Sequence, residues 1–101
     1  IKDNYPVTKD HCLIIPKRHC VEYFDLYQPE INAISQLINE MKTELQKKDK
    51  TIKGFNIGNN SGEVSGQTIF HSHIHLIPRR KNDTDNPRGG VRGVIKNKQS
   101  Y

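Results

Sequence analysis

The stretch Thr68-Ile69-Phe70-His71-Ser72-His73-Ile74-His75-Leu76-Ile77-Pro78 decides how this chain is read. Alternate side chains of an extended strand face the same way, so His71, His73 and His75 share one face. Neighbouring histidines stand roughly 6.5 Å apart at a rise of about 3.3 Å per residue. Phe70, Ser72, Ile74 and Leu76 fall on the opposite face. The spacing predicts a strand over Thr68 to Ile77, ended by Pro78, with a mostly apolar back and a histidine-lined front.

Immediately upstream, Gly58 to Gln67 is rich in glycine, amide and hydroxyl residues. Glycine permits close backbone approach, and Asn60, Gln67 and Thr68 carry groups that can donate to phosphate oxygens. Ile52 to Ile57 reads as another strand, weakened by Gly54. Before it, Ile31, Ile34, Leu37, Ile38, Met41 and Leu45 recur at steps of three and four, one face of an amphipathic helix from Pro29 to about Lys48. Pro29 suits a first helical turn and Lys47 and Lys48 suit a last one. Cys12 to Ile15 is a short apolar strand stopped by Pro16. Strands flanking one long helix predict an α+β domain with an antiparallel sheet.

A chain of 101 residues accommodates one domain. It would bury only about 60–65% of its unfolded surface, so a partner subunit would help. It opens on Ile1 rather than Met, and the reading is that a strand or more precedes it. No apolar run reaches the roughly 20 residues of a membrane span and no secretory signal pattern is present. The expectation is therefore a soluble cytoplasmic protein. Cys12 and Cys20 fit no C-x-x-C pattern and read as two unpaired thiols.

The charge of +5 is local. Residues 1–78 carry nine Lys/Arg and nine Asp/Glu, while residues 79–101 carry seven against Asp83 and Asp85. A neutral body with a basic C-terminal tail argues against a general nucleic-acid surface and for one anion-attracting segment.

Three of the five histidines lie on one strand face within five residues. Neighbouring imidazoles repel one another if all are protonated, and an unperturbed pKa of about 6.5 suits such a row to proton exchange or nucleophilic attack near neutral pH. Zinc is the rival reading, but the outer pair stands about 13 Å apart at the strand rise, too far to converge without curvature.

Gly66-Gln67-Thr68-Ile69-Phe70-His71-Ser72-His73-Ile74-His75-Leu76-Ile77-Pro78-Arg79 resembles the signature of the histidine triad (HIT) family. Asp3-Asn4-Tyr5-Pro6 and His11-Cys12-Leu13-Ile14-Ile15-Pro16-Lys17-Arg18-His19 resemble that family's first half, and Asn86-Pro87-Arg88-Gly89-Gly90-Val91-Arg92-Gly93 resembles a tail seen in many bacterial members. The likeness points to the fragile-histidine-triad, or dinucleoside polyphosphate hydrolase, branch. It implies a single HIT-like domain over 1–101, with 79–101 as its basic tail. One long helix and a short helix would pack on one face of the sheet.

The resemblance also implies roles. His73 would attack the α-phosphate and form a nucleotidyl-histidine that water hydrolyses. His75 would contact phosphate oxygens and the leaving group. His71 would support the site, with His11 nearby as a fourth histidine. Asp3 would accept hydrogen bonds from ribose hydroxyls, and Asn60, Gln67 and Thr68 would position phosphates. The substrate would be a purine nucleotide, a dinucleoside polyphosphate or a nucleoside phosphoramidate, and the assembly a homodimer. Glutamine stands at the third histidine's place in transferase relatives, so His75 favours hydrolysis. No cofactor is required for catalysis and no residue is assigned to a catalytic metal. A structural zinc is compatible, with His19 and His71 meeting a family C-x-x-C that residues 1–101 do not contain. The alternative is a nucleotide-binding regulatory module without catalysis.

Overall fold

The computed structural model describes residues 1–101. Its elements are β1 (Cys12–Ile14), α1 (Gln28–Lys48), β2 (Ile52–Gly58) and β3 (Ile74–Arg80). The sheet order is β1-β3-β2, and both pairings are antiparallel. An isolated bridge from Lys2 to Cys12 extends the β1 edge. The α+β architecture matches the sequence reading. The short helix takes the form of a 3-10 turn at Tyr23–Asp25, with further such turns at Glu63–Ser65 and Gly90–Val94.

The helix forms where its apolar period predicts. Pro29 lies in its first turn, the Tyr27 N–H donates to the Glu30 carboxylate at 2.8 Å, and Lys47 and Lys48 lie in its last turn. Both end charges oppose the helix dipole. Ile34 and Leu45 are buried with Cys12, Ile14, Ile52, Ile74 and Leu76, and Ile31, Ile38 and Met41 pack around them. Leu37 is the member of the stripe that stays largely exposed, facing an open groove beside Leu13, Ile14 and Met41. The core thus sits between α1 and the back of the sheet.

The histidine strand departs from its expected limits at both ends. Burial alternates from His71 onward, yet the ladder starts at Ile74. β1 stops at Ile14, the partner of Ile74, so the preceding residues have no strand to pair with. Their backbone bonds elsewhere: the Ser72 N–H donates to the Cys20 carbonyl at 2.7 Å, and the His73 carbonyl accepts the Asn59 amide at 2.9 Å. Phe70, expected on the buried back, is half exposed because the chain turns before the sheet begins.

Pro78 does not end the strand. It pairs with Phe55 of β2, and its carbonyl accepts the Thr8 hydroxyl at 2.7 Å. The proline nitrogen faces the side that β1 has already left, so no ladder donor is missed. After Arg80 the tail is irregular apart from the turn at Gly90–Val94 and closes on itself. The Gln99 amide donates to the Asn86 and Arg88 carbonyls, and Tyr101 lies under Arg88 and Arg92. Gly89 has a positive φ of 86° and a side chain there would overlap the Gln99 carbonyl.

Candidate active site

His75 is the one member of the histidine row inside the ladder. Its partner in β1 is Leu13, next to the helix-covered core, which fixes its direction. Its Nδ1 lies 2.9 Å from His11 Nε2, with ring centres 5.1 Å apart. His11 is almost fully buried at 3% exposure and reaches the site from the residue preceding β1. Asp3 completes the group, its Oδ2 standing 3.4 Å from His11 and 3.6 Å from His75. The Asp3 backbone N–H bonds the His11 carbonyl, and its Oδ1 accepts the Tyr5 N–H, so the N-terminal loop is tied down at both ends.

His73 lies beside His75 with ring centres 5.2 Å apart. Its Nδ1 is 2.9 Å from the His71 carbonyl. A carbonyl only accepts, so Nδ1 carries the hydrogen and Nε2 keeps a free lone pair. His71 turns the other way: its Nε2 donates to the Pro16 carbonyl at 2.9 Å, and its ring meets His19 edge to face at 5.2 Å. The row therefore divides into a His73 held through Nδ1 by the His71 carbonyl, a His75 backed by His11, and a His71 anchored to the loop after β1.

Burial holds the His75 pKa below its ordinary value, reinforced by the neighbouring His11 and His73 and opposed by Asp3. Neutral imidazole is favoured because desolvation penalises the cation.

An open cavity of about 560 Å³ lies beyond His75, floored by Ile57 and Ile77 and walled by Asn60, Val91 and Val94. Thr68 is exposed and does not line this cavity. Gln67 is 3% exposed, with its amide fully engaged: it donates to the Val21 and Ile69 carbonyls and accepts the Gly62 N–H. In this geometry Gln67 shapes the glycine loop and offers no free N–H to a phosphate. Of Arg79, Arg88 and Arg92 in the basic tail, Arg79 alone borders the cavity. Its guanidinium is held by Asp83 and Asn56, while Arg88 and Arg92 stack on Tyr101.

Two positions that sequence reasoning did not single out matter here. Asn59 holds the His73 carbonyl and accepts the Ser61 hydroxyl at 2.5 Å. The Val7 N–H donates to His11 Nδ1 at 3.1 Å. The Asn59-Asn60 pair offered a weak signal for the first; a backbone amide offers none for the second.

Donor atoms of Asp3, His11 and His75 lie within 4.8 Å of one another, a spacing a divalent cation could close. The Val7 amide opposes this use. Coordination through His11 Nε2 would place its ring proton on Nδ1, where the Val7 N–H already points. His19 and His71 are adjacent, but they supply two nitrogens, half of a tetrahedral zinc set, and His71 Nε2 is already bonded.

Comparison with known proteins gives a consistent result. The family model described as HIT domain matches residues 1–82. An uncharacterized HIT-like protein of Mycoplasma genitalium is 37% identical over 79 residues, covering 76% of this chain and 54% of that protein. The chain spans about half the length of this and the next curated relative it matches. A zinc-bound histidine triad family protein from Mycobacterium smegmatis superposes with a TM-score of 0.76 at 30% identity, covering 84% of this chain and 61% of that one. The Plasmodium falciparum diadenosine triphosphate hydrolase, in complex with cyclomarin A, gives 0.75 at 34% identity, covering 83% and 56%. No helix of this chain is long and apolar enough to cross a membrane.

Proposed function

This chain belongs to the histidine triad (HIT) family, and from that premise we propose that it is a nucleotide hydrolase acting at the α-phosphate of dinucleoside polyphosphates or nucleoside phosphoramidates. The observation that carries the reading is the fixed tautomer of His73. The His71 carbonyl accepts its Nδ1–H at 2.9 Å, so in the neutral imidazole the lone pair is on Nε2.

His73 Nε2 attacks phosphorus, the bond to the leaving group breaks, and a nucleotidyl-histidine forms. The imidazolium created at His73 is stabilised by its charge-assisted bond to the His71 carbonyl. Water then attacks the same phosphorus, returning the electron pair to Nε2, releasing a nucleoside monophosphate and passing a proton to solvent. His75 contacts the departing group, and Asn60 contributes a donor from the cavity wall. Asp3 accepts from ribose hydroxyls. Gln67 acts by shaping the loop that Thr68 follows, and His11 and His71 support the row.

In this mechanism the nucleophile comes from the histidine row, and no cofactor is assigned to the chemistry. His19 and His71 would supply two nitrogens of a structural zinc set only if His71 bound through Nδ1 or gave up its contact with the Pro16 carbonyl. The functional unit is a homodimer, in keeping with a small core.

A panel of diadenosine polyphosphates and adenosine phosphoramidate tests the reading. Adenosine monophosphate is expected as a common product. Its absence with every substrate would overturn the proposal.

A further inference from the structure

Resting on that reading, we propose that Asn59, aligned by Ser61, is a positioning residue that holds the His73 backbone where the sheet no longer does. The argument starts at a gap in the ladder. β1 ends at Ile14 opposite Ile74, and β2 ends at Gly58 opposite His75. Continued register would set Asn60 of the second strand opposite His73, but β2 has already stopped. No backbone N–H reaches the His73 carbonyl. The Asn59 side chain takes the missing place, its Nδ2 donating to that carbonyl at 2.9 Å.

The amide is itself fixed in direction. The Tyr23 N–H can only donate, and it does so to the Ser61 hydroxyl oxygen at 3.1 Å. The Ser61 hydrogen is then directed to Asn59 Oδ1 at 2.5 Å. With the oxygen so placed, the Asn59 NH2 faces the His73 carbonyl, which only accepts. Each bond runs in one direction, from the turn ahead of α1 through two side chains to the peptide of the nucleophile. The preceding peptide is held separately, the Ser72 N–H donating to the Cys20 carbonyl at 2.7 Å. The ring is held through Nδ1 by the His71 carbonyl. Backbone and ring fixed together give the Nε2 lone pair a single direction.

The consequence is a split between binding and chemistry. In-line attack needs the nucleophile roughly 3–3.5 Å from phosphorus with its lone pair aligned, and small misplacements are costly. An unheld carbonyl lets the peptide between His73 and Ile74 rotate, and the ring turns with it. Substrate is held by other groups, Asp3 and Asn60 among them, so loss of the relay acts on kcat and leaves KM in place. Asn59 borders the cavity, whereas Ser61 does not. A direct phosphate contact from Asn59 would instead appear in KM and would leave Ser61 without effect.

Ser61→Ala is therefore the variant to measure, with a diadenosine polyphosphate as substrate. Its kcat should fall about tenfold with KM unchanged, and that of Asn59→Ala by about 10²-fold. The double variant should lose no more than Asn59→Ala alone, because both residues act through one contact. Ser61→Thr keeps the hydroxyl and should recover kcat. An unchanged kcat in Ser61→Ala, additive losses in the double variant, or a loss carried by KM would overturn the inference while leaving the hydrolase reading in place. Two-bond nitrogen–proton correlation spectra of the labelled protein near pH 7 give a reading that needs no turnover. His73 is expected as the Nδ1–H form alone in the wild type and as a mixture of tautomers in Ser61→Ala. The same single form in both proteins would overturn the inference. A wild type that turns nothing over would remove the hydrolase reading, and the spectra would still decide whether the relay holds His73.

Discussion

The two working histidines, two residues apart, are set to opposite polarity by the backbone around them. His73 lies outside the ladder and faces a carbonyl, which leaves its outer nitrogen a lone pair. His75 lies inside the ladder and faces His11, which a Val7 amide has turned into a donor. In the proposed mechanism identical side chains thus serve different roles, His73 as the nucleophile and His75 at the departing group. The lesson is that a histidine row acquires its chemistry from the hydrogen-bonding partners of the hidden nitrogens, not from its spacing.

The contrast is most easily broken at the nucleophile. His73→Ala should lower kcat by roughly 10⁴-fold or more while nucleoside monophosphate still binds, as titration calorimetry would show. Wild-type turnover in that variant would transfer the nucleophile's role elsewhere. At the departing group, His75→Ala should cost about 10²–10³-fold in kcat, the range found when a single stabilising donor is lost. A loss equal to that of His73→Ala would mean that the two positions are not distinct in kind.

The loop that precedes the histidine row comes next. Gln67→Ala removes the partners of the Gly62 N–H and of the Val21 and Ile69 carbonyls, all near a fully buried amide. Denaturant unfolding should show a loss of about 1–3 kcal/mol. Activity should fall through loop disorder, with kcat and KM moving together. An unchanged stability with raised KM alone would instead return Gln67 to direct phosphate contact.

The smallest effect is on pH. The folded chain holds the His75 pKa below 6.5, so the unfolded chain takes up a proton there first. Stability from this group is therefore complete above the unfolded value and declines as pH falls from about 6.5 toward the folded value. His75→Gln should flatten that part of the stability curve measured by urea unfolding. A curve of unchanged slope would mean that His75 is not desolvated in solution.

Much of this arrangement was legible in the residues themselves. The three-four period from Ile31 to Leu45 marks α1 because one helix face must meet the sheet, and the Ile74–Leu76 alternation marks β3 for the same reason. The start of β3 was not legible. Alternating burial persists from His71 to His73 without a partner strand, so the pattern reports extended backbone and not pairing. Pro78 misled because its cost depends on whether a neighbour needs its missing N–H, and β1 has already ended. Asp3, His11 and Asn60 were found by resemblance and do gather at His75 or its cavity. Val7 could not be found, because what it contributes is a main-chain amide that every residue but proline possesses.

Covalent attack by His73 is tested most directly by quenching the protein in alkali during turnover of a diadenosine polyphosphate, because a phosphorus–imidazole bond is labile in acid, and mapping the adduct by mass spectrometry at alkaline pH. One adenylyl group on the peptide carrying His71 to His75, localised to His73 by fragmentation, is the expected result. Undiminished turnover with the group on another residue, or net inversion when an α-phosphorothioate substrate of one configuration is cleaved in oxygen-labelled water, would contradict it.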